Sequence, residues 1–125
     1  MKQFFIIPFF AVMSLLCCTS PSNSKGYTDL DVAAFKAKMV EPGIVLLDVR
    51  TPEETVEGMI NGAIAIDYES DNFETEIATL DKSKTYLVYC QKGGRSSNAC
   101  KTMAGKGFKN LYNLKGGYLA WASKK

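Results

Sequence analysis

The residues best suited to chemistry lie in one stretch, where an apolar run ends in a cysteine and a polar loop follows. Tyr86 to Tyr89 precede Cys90, and the loop after it consists of Gln91, Lys92, Gly93, Gly94, Arg95 and Ser96. This pattern predicts a short buried strand, a tight loop and the N-terminus of a helix. Backbone N–H groups converge at such a loop, where they bind anions and lower the pKa of a thiol. We therefore predict that Cys90 is a nucleophile at the mouth of an anion-binding loop.

Three residues of this loop have predicted roles of their own. Gly93 and Gly94 let the backbone turn inward without a clash from a Cβ atom. The planar guanidinium of Arg95 can donate two parallel hydrogen bonds to an anion on the sulfur. The alternative is that Cys90 is a buried structural cysteine before an ordinary turn from strand to helix.

Composition excludes several other classes of function. The chain has 125 residues, enough for one domain. It has 15 Lys and Arg against 13 Asp and Glu, with no basic block outside the terminal Lys124-Lys125, so nucleic-acid binding has no electrostatic footprint. Histidine is absent, which excludes Ser-His-Asp and Cys-His catalysis and any His-ligated zinc site. The sequence implies no metal and no organic cofactor.

An apolar segment near the N-terminus predicts export. Residues 4–16 are almost wholly apolar and too few to span a bilayer comfortably, and they lead into Cys17 and Cys18. This arrangement resembles a bacterial lipoprotein signal, which is cut before a cysteine that is then lipidated. We expect residues 1–17 to be the signal peptide, Cys18 the lipidated residue, residues 18–26 a tether and residues 27–125 the domain. The protein would then face the periplasm in the cell envelope and touch the membrane only through its lipid.

Alternatives at this N-terminus are lipidation at Cys17, a plain secretory signal, or an anchored segment.

Two further cysteines, Cys90 and Cys100, lie within the predicted domain. Along a helix that begins near Gly94, Cys100 would lie about 9 Å further along the axis. The Cα atoms of a disulfide are usually within about 7 Å. We therefore expect Cys100 to pack in the core, beside Ala99, Met103 and Ala104, which recur at helical spacing.

Apolar runs alternate with helical patterns along the rest of the chain. Thr28 is the predicted N-cap of a first helix, with Asp31 completing a capping box. Thr51 and Glu54 predict a second capping box around Pro52, in a short helix that ends at Gly58. The predicted strands cover residues 44–47, 63–66, 86–89 and 110–113, and further helical patterns cover 71–80, 94–105 and 118–121.

This alternation predicts an α/β domain with a mostly parallel sheet. Ligands of such sheets bind beyond the carboxyl ends of the strands. Asp48, Cys90 and the turn at residues 115–117 all follow predicted strands, so we expect them to meet at one edge of the sheet.

Four segments in order resemble the motifs of the rhodanese-like domain family. They are Leu46 to Glu54, Glu57 to Ile64, the loop Cys90 to Ser96, and Leu114 to Trp121. The resemblance extends over residues 27–123. Two departures are Met59, where the family commonly has His, and Tyr118, at a position that is often Trp.

The resemblance implies a single α/β domain with a five-stranded, mostly parallel sheet and helices on both faces. It also implies a sulfurtransferase in which Cys90 takes a sulfane sulfur from a donor such as thiosulfate and carries it as a persulfide to a thiol or cyanide. The N–H groups of Gln91, Lys92, Gly93, Gly94, Arg95 and Ser96 would surround the persulfide. Arg95 would help to hold the loop and the anion, and Lys92 would attract the anionic donor.

Asp48 and Arg50 have two open interpretations: they support the loop, or they only cap the end of a strand.

The number of residues between Cys90 and Arg95 bears on the type of reaction. Phosphatases and arsenate reductases with related folds have five residues between Cys and Arg, whereas four separate Cys90 from Arg95, which leaves room for one added sulfur and crowds a phosphoryl group. Two alternatives to an enzyme remain: a carrier that passes persulfide sulfur to a protein partner, and a non-catalytic interaction module in the envelope.

Overall fold

The computed structural model describes residues 25–124, which fold as five strands that alternate with five helices. The strands are β1 (Thr28–Leu30), β2 (Ile44–Asp48), β3 (Ile64–Ala65), β4 (Thr85–Tyr89) and β5 (Asn110–Leu114). The helices are α1 (Val32–Met39), α2 (Pro52–Thr55), α3 (Phe73–Ile77), α4 (Gly94–Gly105) and α5 (Gly117–Ser123). The predicted signal peptide, Cys17 and Cys18 lie outside the described residues.

The strands form one sheet in the order β1-β5-β4-β2-β3, and every pairing is parallel. Central β4 pairs with β2 from Thr85 to Tyr89 and with β5 from Thr85 to Val88. Its residues Tyr86 to Tyr89 are all buried because helices cover both faces of a parallel sheet. The predicted α/β fold with a five-stranded sheet is confirmed.

Two apolar cores lie on opposite faces of the sheet. One contains Phe73 and Ile77 of α3 together with Cys100 and Met103 of α4. The other contains Val32 and Phe35 of α1, with residues of α5 packed against it. Adjacent residues of β4 alternate between the two cores, as the pleat of a strand requires. The sheet is thereby held rigid between two layers of helices.

The prediction that a helix opens at Thr28 is wrong. Residues Thr28 to Leu30 form β1 and pair with Tyr112 to Leu114 of β5. The helix begins later, with Asp31 as its N-cap, whose Oδ1 accepts a hydrogen bond of 2.8 Å from the N–H of Ala34. A threonine followed three residues later by an acid satisfies the capping pattern locally, but pairing with a distant strand decided the conformation.

The second capping box is present: the Thr51 side chain accepts from the N–H of Glu54, and the Glu54 carboxylate accepts from the N–H of Thr51 at 3.0 Å. Helix α2 nevertheless ends at Thr55 rather than at Gly58. Several elements are also shorter than predicted: β3 has two residues and α3 has five. Within residues 25–124, no helix has the length and apolar character needed to cross a membrane.

Candidate active site

Cys90 follows directly after β4, at the carboxyl edge of the sheet, and only 1% of it is exposed. The backbone turns sharply at Gly93, whose φ of 106° is a conformation that a side chain would disfavour. This turn directs the N–H of Gly93 at the Cys90 Sγ atom, with a nitrogen–sulfur distance of 3.0 Å. Helix α4 then begins at Gly94.

The surroundings of Cys90 act on its pKa in opposite directions. Burial raises the pKa because a thiolate is poorly solvated there. The Ser96 hydroxyl, 3.3 Å from the sulfur, and the backbone N–H groups of Ser96, Gly93 and Lys92 lower it. The hydrogen bonds prevail, and the pKa of the Cys90 thiol lies below its usual value. The loop therefore favours a buried anion on this sulfur.

Helix α5 sets the orientation of the first two peptide groups of the loop. The N–H of Tyr118 donates to the carbonyl of Cys90 at 2.8 Å, and that of Leu119 donates to the carbonyl of Gln91 at 3.1 Å. Gly117 permits this approach, since a Cβ there would lie 2.6 Å from both carbonyl oxygens. With these carbonyls held by α5, the N–H groups of the later loop residues are left to face the sulfur.

The sequence predicts that Arg95 holds the loop and the anion. In the structure its guanidinium forms an ion pair with the Glu54 carboxylate. The two nitrogens lie 2.7 and 2.8 Å from the two carboxylate oxygens, an arrangement that fixes both side chains. These hydrogen bonds, above all, lower the pKa of Glu54 to about 2. Arg95 thereby fastens the start of α4 to α2, while still lining the cleft above the sulfur.

Asp48 and Arg50 form a buried ion pair at the end of β2. Nε and Nη2 of Arg50 contact the Asp48 carboxylate at 2.8 to 3.1 Å. Arg50 is 3% exposed and Asp48 is 0% exposed. The other donors of Arg50 reach the Gln91 side chain at 3.1 Å and the Gly58 carbonyl at 2.6 Å. Arg50 thus contacts a side chain of the cysteine loop directly.

Three residues of the site were not singled out from the sequence as site residues: Glu54, Asn113 and Asp29. Glu54 was identified only as a helix-capping residue. Ser96 Oγ lies 2.5 Å from Asn113 Oδ1, and the Asn113 amide nitrogen donates to Asp29 Oδ1 at 2.9 Å. The position of Asn113 at the carboxyl end of β5 was a usable signal. Asp29 gave none, because its segment was assigned to a helix.

A cleft of about 330 Å³ opens above the sulfur. Its lining consists of Glu54, Cys90, Gln91, Lys92, Gly94 and Arg95. Lys92 is exposed at the mouth, where its charge is available to a solute. The cleft is open to solvent on one side and closed by the loop on the other, so a small anion can reach Cys90 through it.

The second thiol of the domain lies on α4 and is fully buried. Cys100 is unpaired, as is Cys90. Burial raises the pKa of Cys100 to about 12, with smaller contributions from Asp29 and Cys90. Cys100 packs in the same core as Ala99 and Met103, as predicted.

Comparison with known proteins identifies the family. The model of the rhodanese-like domain matches residues 31–124. Bacillus subtilis YtwF is 39% identical over 94 residues, covering 74% of this chain and 88% of that protein. The thiosulfate sulfurtransferase GlpE of Pseudomonas entomophila is 35% identical, with 65% of this chain and 72% of that protein covered.

Solved structures agree with the sequence comparison. The crystal structure of a rhodanese-related protein from Thermoplasma volcanium superposes with a TM-score of 0.69 at 26% identity, covering 78% of this chain and 93% of that one. The parallel sheet, the cysteine loop and these similarities together show that the chain belongs to the rhodanese-like domain family.

Proposed function

We propose that this protein is a sulfurtransferase that moves a sulfane sulfur through a persulfide on Cys90. The observation that carries the proposal is the Cys90 thiol itself, which lies at the base of an open cleft with N–H and hydroxyl donors around it. The lowered pKa of Cys90 supplies thiolate, the reactive form of the residue. Sulfurtransferase relatives support the same class of reaction.

The first half-reaction would load the cysteine. The Cys90 thiolate attacks the outer sulfur of thiosulfate, the sulfur–sulfur bond of the donor breaks, and sulfite leaves with the electron pair. The product is a Cys90 persulfide that carries one negative charge on its terminal sulfur. Hydrogen bonds from the loop stabilise this charge, and Lys92 at the mouth of the cleft attracts the dianionic donor.

The second half-reaction would return the enzyme to its starting state. A nucleophilic acceptor, cyanide or a thiolate, attacks the terminal sulfur, and the Cys90 thiolate leaves with the electron pair. The loop donors that favour the resting thiolate also stabilise it as a leaving group. Donor and acceptor occupy the same cleft in turn, as in ping-pong covalent catalysis.

Intact-protein mass spectrometry before and after treatment with thiosulfate tests the loading step. We expect the native protein to gain the mass of one sulfur atom and the Cys90→Ser variant to gain none. Cys100→Ala is the matched control and should gain the sulfur like the native protein, because that thiol lies outside the cleft. No gain with thiosulfate or with a polysulfide would contradict the proposal and favour an interaction module.

Turnover distinguishes an enzyme from a carrier. A loaded protein that releases its sulfur repeatedly to cyanide or to a small thiol acts as a sulfurtransferase. Stable loading without such release would indicate a carrier that serves a protein partner.

We also propose that the protein is anchored in the cell envelope by a lipid on Cys18. The support for this proposal is the sequence of residues 1–18, with its apolar run before two cysteines. The domain would then act at the membrane surface on the periplasmic side.

A further inference from the structure

A line of buried polar side chains leads from Cys90 to the first strand. Ser96 Oγ lies 3.3 Å from the sulfur and 2.5 Å from Asn113 Oδ1. The Asn113 amide nitrogen lies 2.9 Å from Asp29 Oδ1. Ser96 is 0% exposed and Asn113 is 4% exposed, so neither can exchange these partners for water. The side chains come from the consecutive elements α4 and β5 and from the distant strand β1.

Asp29 fixes the orientation of the Asn113 amide. A carboxylate only accepts hydrogen bonds, so the NH₂ group of Asn113 must face Asp29 at 2.9 Å. The same nitrogen has a longer contact of 3.5 Å with the Gly93 carbonyl. The carbonyl oxygen of the amide must therefore face Ser96. Turning the amide over would set its oxygen against the carboxylate and leave two acceptors in contact.

This orientation determines where the hydrogen of the Ser96 hydroxyl can go. Ser96 has one such hydrogen, and Asn113 Oδ1 at 2.5 Å can only accept it. Two other acceptors compete, the Gly93 carbonyl at 3.1 Å and Cys90 Sγ at 3.3 Å. While Cys90 is a thiol, its S–H can donate to Ser96 Oγ and the hydroxyl can donate to Asn113. Once the thiol proton has left to water, the hydroxyl can donate to the thiolate only by leaving Asn113, and the buried Asn113 oxygen then loses its donor.

We propose that Asp29 is a positioning residue: by fixing the amide of Asn113, it gives the Ser96 hydroxyl a buried acceptor that competes with the Cys90 thiolate. The competition opposes ionisation of Cys90 and offsets part of the effect of the loop N–H groups. The proposal rests on the proposed function only in its consequence for catalysis. That consequence is a smaller fraction of reactive Cys90 thiolate at neutral pH.

Other ionisable groups also face this region. Those that line the cleft or interact with Cys90 are Lys92 and Arg95 of the loop, Glu54 of α2 and Cys100 of α4. Lys25 lies 3.6 Å from the Asp29 carboxylate on its exposed side. A substitution at Asp29 leaves all of these in place, so its effect can be separated from theirs.

The test is the pH dependence of Cys90 alkylation by iodoacetamide in the full chain, with mass spectrometry to locate the label. Asp29→Asn allows the Asn113 amide to turn, and Asn113→Ala removes the competing acceptor while keeping the charge of Asp29. We expect both variants to lower the alkylation midpoint by roughly half to one pH unit. Asp31→Asn is the control: it removes the same charge two residues away and keeps a good N-cap, so the midpoint should not move.

A second comparison isolates the hydroxyl. In a Ser96→Ala background the lowering caused by Asp29→Asn should shrink to the small effect of the lost charge. An unchanged or raised midpoint in Asn113→Ala overturns the proposal, as does an equal effect of Asp29→Asn with and without Ser96. Thermal unfolding confirms that each variant is folded; Asp29, whose side chain is 36% exposed, tolerates the isosteric change best. No sulfur donor is used, so failure to form a persulfide would leave this result intact.

Discussion

Cys90 and Cys100 are both buried and unpaired, yet their thiols are shifted in opposite directions. The pKa of Cys90 is lowered, whereas burial raises the pKa of Cys100 to about 12. The two residues are 1% and 0% exposed, so burial alone does not distinguish them. Cys100 lies in the middle of α4, where the backbone N–H groups are already bonded within the helix. Cys90 lies before the first turn of that helix, where the backbone N–H groups have no partner within the helix.

The difference shows that nearby hydrogen-bond donors, the Ser96 hydroxyl first and then the N–H groups of the loop, set these two buried thiols apart. The N–H of Gly93 is aimed at Sγ, and the carbonyls of Cys90 and Gln91 are turned away toward α5. Reversing that arrangement would leave Cys90 with the desolvation that Cys100 experiences and with only the Ser96 hydroxyl to offset it.

Selective alkylation is the largest expected effect. At pH 7 we expect iodoacetamide to modify Cys90 at least about 10³ times faster than Cys100, because the thiolate is the nucleophile and the core excludes the reagent. Peptide mapping by mass spectrometry measures both rates in one sample. In urea the two rates should become similar. Equal rates in the native protein would show that the two environments do not differ as described.

Gly117→Ala should remove part of what distinguishes Cys90. The backbone φ of 62° disfavours alanine, and its Cβ would lie 2.6 Å from the Cys90 and Gln91 carbonyl oxygens. We expect the loop to shift away from α5, sulfur transfer to fall by about 100-fold, and the free energy of unfolding to fall by about 1–3 kcal/mol. Steady-state kinetics and urea denaturation measure these effects.

The control for this variant is Gly105→Ala, which changes the last residue of α4 where a Cβ meets nothing within 4 Å. It should leave transfer unchanged. Full activity of Gly117→Ala would mean that contact with α5 does not shape the loop.

Glu54→Gln should weaken the attachment of the loop with a smaller effect. Arg95 would lose its ion pair, and we expect transfer to fall by roughly tenfold and stability at pH 7 to fall by about 1 kcal/mol. The pKa of Glu54 is lowered from 4.5 to about 2, so its stabilising effect is present above the unfolded value and is lost as the pH falls through this range. The stability gap between variant and native protein should therefore close between about pH 5 and pH 2.

Urea denaturation across this pH range measures the gap, and Glu53→Gln, which removes an exposed charge from the same helix, should show none. A gap that stays constant with pH would mean that the Glu54–Arg95 pair does not hold the loop.

Much of the fold followed from local patterns. The apolar run before Cys90 became β4, and the change to helical spacing at Gly94 became α4. The Thr51–Glu54 capping box formed because both partners lie within one turn. Thr28 shows the limit of such patterns: an equally good local cap gave way to pairing with β5, which lies more than eighty residues away. A strand of three residues carries too little periodicity to be recognised alone.

The sequence by itself determined the class of the sheet and the position of Cys90 and its loop at the end of a buried strand, because these depend on neighbouring residues and on the spacing of apolar side chains. Tertiary structure decided which side chains those residues meet. The pairing of Arg95 with Glu54, the contact of Gly117 with the cysteine loop and the path from Ser96 through Asn113 to Asp29 each join separate elements. No local pattern specifies such contacts, since they exist only once the parallel strands bring their carboxyl ends to one edge.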